Sequence, residues 1–361
     1  MSRTFSDFVR VELAPPRYLS TPAAGVDISA SGVKVVTFKE TLHGLELADF
    51  AEEPLPAGTI VGGEIADRPA LVTVLKTLAS RFGVSVANIT LPESRGYLFE
   101  ADVSGTDPKM WRVEIERHLD EYVPLPVNEV MYDAVPLTHV GGMTRMIGVG
   151  YARRVAETSL AAFDEAGITV GSMEGEVFAL PRALRPHGDL ETVLIIDIGK
   201  TTTKLLIAGS RLPRFATTLD VGGHALTLAV EKHFGVSEEE AKRVKAEQGL
   251  HAGAENQEFL AAMLSTVSVI REEVARRLDY WQARASAAPF HEPVTRALLV
   301  GGNATVRGLP EYLEASLKIP VELGDVFCNL ASRDAWLPPL DYTESLAYGT
   351  AIGLALRDYV H

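Results

Sequence analysis

Asp197, Gly199, Lys200, the threonines Thr201, Thr202 and Thr203, and Lys204 stand almost in a row between two apolar runs, Leu194-Ile195-Ile196 and Leu205-Leu206-Ile207. An aspartate at a strand end can hold a magnesium ion through water, because that cation prefers carboxylate oxygens and keeps much of its hydration. Glycine lets backbone N–H groups approach a phosphate closely, and threonine hydroxyls add hydrogen bonds. By itself the same pattern is also an ordinary polar hairpin turn. Lys200 reads either as a phosphate ligand or as a solvent-facing side chain. Residues 25–39, GVDISASGVKVVTFK, repeat the arrangement without a gap: Asp27 corresponds to Asp197, Ser29 to Gly199 and Lys34 to Lys204. A third segment, ALLVGGNATVRG over 297–308, ends an apolar run in Gly301, Gly302 and Asn303. Paired glycines after a strand let a flat ligand lie against the backbone. Gly222 and Gly223 mark a strand-to-helix junction, which reads as an anion site at a helix N-terminus or as a tight turn.

Short apolar runs on either side of a polar turn make each repeat a β-hairpin. Two such hairpins half a chain apart imply two related halves facing each other across a cleft. The segments GVDIS, VKVVTFK and LELADFA predict a three-stranded meander. Leu71, Val74, Leu75, Leu78 and Phe82 are spaced for a helix over 68–82, and a strand follows at 88–91. From about Leu98 the pattern changes to a small α+β unit, expected over 98–168. It contains a helix opened by Asp107 and Pro108, with Trp111, Ile115, Leu119 and Tyr122 on one side. The chain is expected to return to the first lobe over 169–190, to build the second over 191–334, and to end in a small-residue helix over 335–361. Ser237 and Glu240 form a capping box. Residues 1–24 precede the first strand; Phe5, Phe8 and Val9 line one face before Pro15, Pro16 and Pro22. They read as a strap or loose tail, or as a docking arm.

Composition narrows the class. A chain of 361 residues, 47% of them hydrophobic, can bury large cores in two lobes. The net charge of −14, without a basic cluster, argues against a nucleic-acid partner. One cysteine, Cys328, forms no intramolecular disulfide and fits a reducing compartment. No secretory leader pattern and no apolar run of about eighteen residues occurs, so the expectation is a cytoplasmic protein without a membrane span. Histidine and cysteine spacing offers no zinc site. Gly199-Lys200-Thr201 imitates the end of a phosphate-binding loop, but Leu194 stands where that loop requires its first glycine.

The two hairpins, the loop LLVGGNATVRGLPEYL, the segment MEGEVFALPRAL and the helix SEEEAKRVK together resemble the actin-like ATPase superfamily. Within it, GVSEEEAKRVK, REEVARRLDYW and AWLPPLDYTESLAYGTAIGLALRD resemble the PilM family of type IV pilus assembly proteins, over nearly all of residues 25–358. The resemblance implies an α/β fold of two RNase H-like lobes around a nucleotide cleft, with an inserted α+β subdomain of the FtsA/PilM type. It implies ATP and Mg²⁺ as cofactors, with the metal held through water by Asp27 and Asp197. Phosphate contacts fall to Asp27, Ser29, Lys34, Asp197, Gly199, Lys200, Thr201, Thr202, Lys204, Gly222 and Gly223. Adenosine contacts fall to Glu239, Lys242, Gly301, Gly302 and Asn303. Glu176 and Asp27 are the implied catalytic residues; Glu176 can equally be an acidic residue favouring a helix start.

The resembling family's first hairpin usually reads D-x-G-T-x-x-x-K. Ser29 and Ala30 depart from it, which implies ATP binding with slow or no hydrolysis. The implied partners are the N-terminal cytoplasmic peptide of a PilN-like inner-membrane protein, bound near the insert, and other pilus assembly proteins, with self-association open. Two other roles compete: an FtsA-like division protein, and a sugar-kinase-type phosphotransferase, for which no base is identified.

Overall fold

The structure is a computed structural model and describes residues 22–250, 257–287 and 291–359, so Phe5, Phe8 and Val9 lie outside the described residues. Strands β1 (Ala24–Ile28), β2 (Gly32–Thr41) and β3 (Gly44–Pro54) form the expected antiparallel meander, with Asp27 directly opposite Lys34. Helix α1 (Arg68–Phe82) starts where Asp67 accepts the Ala70 N–H and stops at Gly83, whose φ of 64° suits only glycine well. Between those caps Leu71, Leu75 and Leu78 fall on one buried stripe. Strand β4 (Val86–Leu91) then runs parallel to β1.

From Gly96 the chain leaves the lobe. Strands β5 (Gly96–Ser104), β6 (Val130–Val140) and β7 (Met143–Ala152) form an antiparallel sheet of order β5-β7-β6. Helix α2 (Pro108–Arg117), capped by Asp107, packs on β5. The helix expected to reach Tyr122 breaks at His118 and resumes for one turn, Leu119–Tyr122. Ile115 and Leu119 are nevertheless buried together, with Trp111 and Tyr122 beside them, in a core of the insert's own that includes Phe99, Val103 and Met146. The insert reaches the second lobe through Glu100, whose carboxylate lies 3.5 Å from the Arg284 guanidinium.

Helix α3 (Arg153–Glu165) follows, and its packing differs from the expected insert boundary at 168. Ala162, Phe163 and Ile168 enter the first-lobe core with Leu71, Leu75 and Leu78 of α1, so α3 packs as part of that lobe. Strand β8 (Thr169–Gly175) pairs parallel with β4 and completes a five-stranded sheet of order β8-β4-β1-β2-β3. Helix α4 (Glu176–Leu184) then leads to the second lobe.

The second lobe contains β9 (Thr192–Ile198), β10 (Thr203–Gly209), β11 (Leu212–Leu219), α5 (Gly223–Phe234), α6 (Glu238–Gln248), α7 (Gln257–Ala287), β12 (Arg296–Val300), α8 (Leu309–Leu317) and β13 (Val321–Leu323). Its sheet order, β11-β10-β9-β12-β13, repeats the first: an antiparallel meander with two parallel strands added beside its first strand. Flanked on both sides, β9 reads as an unbroken apolar run, and Val193 to Ile196 are fully buried. Helix α9 (Gly349–Ala355) returns to the first lobe and packs between β1 and α4. Its small residues have a steric reason: a Cβ on Gly353 would collide with the Ala179 carbonyl, and one on Gly25 with that of Ala351.

Candidate functional site

The two hairpin turns face a common cleft of about 850 Å³. In the first turn the Ser29 N–H donates to the Gly32 carbonyl at 3.0 Å, and the Ser29 hydroxyl contacts that carbonyl and the Ser31 hydroxyl at 3.1 and 2.9 Å. Ser29 is therefore occupied in closing its own turn. Asp27 is buried, with one oxygen accepting the Thr90 hydroxyl at 3.3 Å, and Lys34 lies 3.4 Å from Glu52.

In the second turn the Gly199 N–H donates to Thr202 O at 2.9 Å, and the Thr203 hydroxyl donates to Val221 O at 2.7 Å. Gly301, at φ 91°, brings the adjoining loop so close that a Cβ there would collide with Asp197. Only glycine tolerates both that angle and that approach. Asn303 then ties the loop to the turn, its Nδ2 donating to Gly199 O at 3.0 Å.

The charge balance is set on the cleft floor. Lys204 donates a hydrogen bond to Glu176 and stands 3.9 Å from Asp197. Burial works against the ammonium, but Glu176, Asp197 and Asp27 overcome it and hold Lys204 protonated above the ordinary lysine range. Burial, with Asp27 adding to it, pushes the Glu176 and Asp197 carboxyls up against the pull of Lys204. Lys34 also pulls on Asp197 but lies 3.4 Å from Glu52, so the carboxyl groups of the cleft floor outnumber its ammonium groups, which a divalent cation fits. Among the described residues no three His, Cys, Asp or Glu side chains converge as an all-protein metal cage. Asp27 and Asp197 thus suit Mg²⁺ held through water and phosphate oxygens, its usual arrangement in phosphate sites.

Asp27, Ser29, Lys34, Glu176, Asp197, Gly199, Lys200, Thr201, Thr202, Lys204, Gly301, Gly302 and Asn303 all line this cleft. Gly222, Gly223, Glu239 and Lys242 are not among its lining residues. The Gly223 and His224 N–H groups donate to Gly199 O and Lys200 O at 2.9 and 2.8 Å, so the start of α5 is spent on the hairpin, as a tight junction. Lys242 turns outward to Glu238 at 2.7 Å, both side chains about half exposed.

The cation that α6 sends inward is Lys245, one turn beyond buried Ala241. Its Nζ reaches Asn303 Oδ1 at 2.9 Å and Gly223 O and Thr227 Oγ1 at 3.2 Å, and burial lowers its pKa to about 8. Glu93 and Thr218 also line the cleft. No local pattern marks Glu93 or Thr218; for Lys245 the i,i+4 spacing from buried Ala241 is the signal that the helix carries.

The sequence model of the family described as "Type IV pilus assembly protein PilM" matches residues 25–359. Among solved structures, the chain is similar to one from a PilM–PilN type IV pilus biogenesis complex, with a TM-score of 0.75 and 22% identity, covering 93% of this chain and 98% of that one. It is similar to the ethanolamine utilization protein EutJ from Carboxydothermus hydrogenoformans, with a TM-score of 0.55 and 15% identity over 97% and 95% of the two chains. It is also similar to MreB5 of Spiroplasma citri bound to ADP, with a TM-score of 0.52 and 14% identity over 85% and 94%. At these identities the likeness establishes the fold, the two-lobed actin-like ATPase architecture that the resemblance implies.

Proposed function

The chain belongs to the PilM family of type IV pilus assembly proteins, and from that premise we propose that it is an ATP-binding scaffold which carries a PilN-like partner peptide on its insert. Family membership selects the pilus role over the division and sugar-kinase alternatives. One observation carries the nucleotide reading: two Asp–Lys hairpins face each other across one cleft, and the Gly301–Asn303 loop is braced against the second. In this reading Asp27 and Asp197 hold the water shell of Mg²⁺, the turn 199–202 meets the phosphates, and Gly301 and Gly302 give the adenosine a flat seat. The solved MreB5 relatives bound to ADP and to AMPPNP support a nucleotide in a cleft of this fold. The partner reading is supported by the PilM–PilN complex and by the insert's self-contained core. No helix among the described residues is long and apolar enough to cross a membrane, which leaves a peptide partner as the proposed link to one.

Calorimetric titration tests the nucleotide reading. Mg²⁺-ATP is expected to bind, and Asp197→Ala to weaken binding about tenfold or more by removing a metal and phosphate contact. Absence of heat at millimolar ATP would sink the reading. A synthetic PilN-like N-terminal peptide is expected to bind the full chain. Protein that ignores the peptide yet pellets with bare liposomes would refute the partner assignment.

A further inference from the structure

Two polar atoms among the cleft-lining residues are shut off from solvent without a hydrogen-bond partner: Glu93 Oε2 and Thr218 Oγ1. Buried polar groups are nearly always satisfied by protein or by a small polar molecule, so each such atom calls for an explanation. Tertiary structure sets both residues on the wall of the same cleft. The turn Glu93–Arg95 packs on β11, and on that strand Thr218 stands directly opposite Lys204 of β10, on the same face of the sheet. The Lys204 ammonium and the Glu176 carboxylate both act electrostatically on Glu93. Glu176 itself is engaged, since its carboxylate takes the Lys204 hydrogen bond. Beside that closed ion pair, then, lie an unengaged carboxyl oxygen and an unengaged hydroxyl, which is what a water molecule needs to be gripped and oriented.

We propose that Glu93 and Thr218 hold the water that attacks the γ-phosphate of bound ATP, with Glu93 accepting its proton. The assignment rests on the nucleotide reading above. The water oxygen bonds to the γ-phosphorus while the bond from that phosphorus to the β,γ-bridging oxygen breaks. ADP departs with the electron pair, and the water's proton passes to Glu93 Oε2 and then to solvent. Glu176 then serves as a positioning residue for Lys204. The charged or titratable groups facing Glu93 are Glu176 from α4, Lys204 from β10 and Tyr151 from β7, whose hydroxyl is buried without a partner. Burial foremost, and Glu176 second, raise the Glu93 carboxyl to about 8 against the pull of Lys204. At neutral pH it mostly keeps its proton, so turnover is slow there and accelerates as the carboxyl ionises.

The test combines ATP titration calorimetry with single-turnover hydrolysis from about pH 6 to about pH 9.5, using the full chain and Mg²⁺. Wild-type turnover is expected to climb through about pH 8. Glu93→Gln is expected to lower it roughly 100-fold and to flatten the climb, with ATP affinity held within about twofold. Thr218→Val is expected to lower the rate about tenfold and to preserve the climb, because it removes a water contact and no base; it also carries the test should Glu93→Gln fail to fold. ATP binding intact with the wild-type rate and pH profile in either variant overturns the assignment. So does a wild-type protein that binds ATP and hydrolyses none at any pH. Failure of the wild type to bind ATP removes the nucleotide reading itself, and this inference with it.

Discussion

Lys204 of the second lobe donates a hydrogen bond to Glu176, the first residue of the helix through which the first lobe passes into the second. The contact closes the floor of the cleft. Lys204 has no comparable second anchor, since Asp197 is 3.9 Å away, and Glu176 is buried.

Removing one partner of such a pair leaves the other as an uncompensated buried charge. Lys204→Met is therefore expected to destabilise the protein by about 3 kcal/mol, near the low end for buried pairs because the lysine keeps some solvent contact. Adding Glu176→Gln should restore most of that loss, since a neutral amide needs no counter-ion. Urea unfolding of the two single variants and the double variant gives the coupling. Equal stability of Lys204→Met and wild type would refute the role of the pair.

Lys245 has a pH signature of its own. Burial pulls its pKa to about 8, below the ordinary value of 10.5. Below pH 8 both folded and unfolded chains hold the proton, and the folded chain bears the burden of a buried ammonium surrounded by neutral acceptors. Between pH 8 and the ordinary lysine range the folded form sheds the proton while the unfolded chain keeps it. The unfolded state then binds more protons, so this residue's contribution to stability rises with pH across that window. Denaturant midpoints measured across it should rise in the wild type more than in Lys245→Met, and an identical slope in both would contradict the assignment.

The difference between Lys245 and the residues expected on that helix shows where local reading stopped. The Ser237 cap is a property of four consecutive residues and was legible: Ser237 Oγ accepts the Glu240 N–H at 3.3 Å, while the Glu240 carboxylate, expected to complete a capping box, pairs with Arg243. Which face of the helix turns inward depends on α5 and on Asn303, far away in sequence; the resemblance implies Glu239 and Lys242 for the adenosine, and the side chain of this helix that reaches Asn303 is Lys245. The hairpins were legible because Asp27 and Lys34, like Asp197 and Lys204, meet within a few residues of the same turn. Glu93 and Thr218 come to line one cleft only after the insert has left the lobe and β11 has been laid down beside the 93–95 turn, and no sequence spacing encodes that. Helix α3 was legible as a helix. Its neighbour was not, and it packs with α1 where an insert helix was expected.

That packing sharpens a deletion test of the partner reading. Gly96 and Tyr151 are cross-strand partners, so residues 97–150 can be replaced by a short glycine–serine linker without stretching the chain. The shortened protein is expected to unfold cooperatively and to have lost the PilN-like peptide. Deleting 98–168 instead removes Phe163 and Ile168 from the first-lobe core, and a buried phenylalanine alone contributes about 3–5 kcal/mol. The longer deletion is expected to lose cooperative unfolding. Peptide binding that survives the shorter deletion would place the partner elsewhere.

Helix α9 sets an order on synthesis. The backbone of β1 at Gly25 is shaped to receive Ala351 and Ala355, and Ala179 in α4 receives Gly353. A chain emerging from the ribosome makes the receiving surfaces first and the helix that fills them more than three hundred residues after β1. Until then the inner edge of the first lobe is exposed on the nascent chain, an apolar seam whose own cover has not yet been translated. The amino-terminal half therefore closes last, although it is made first.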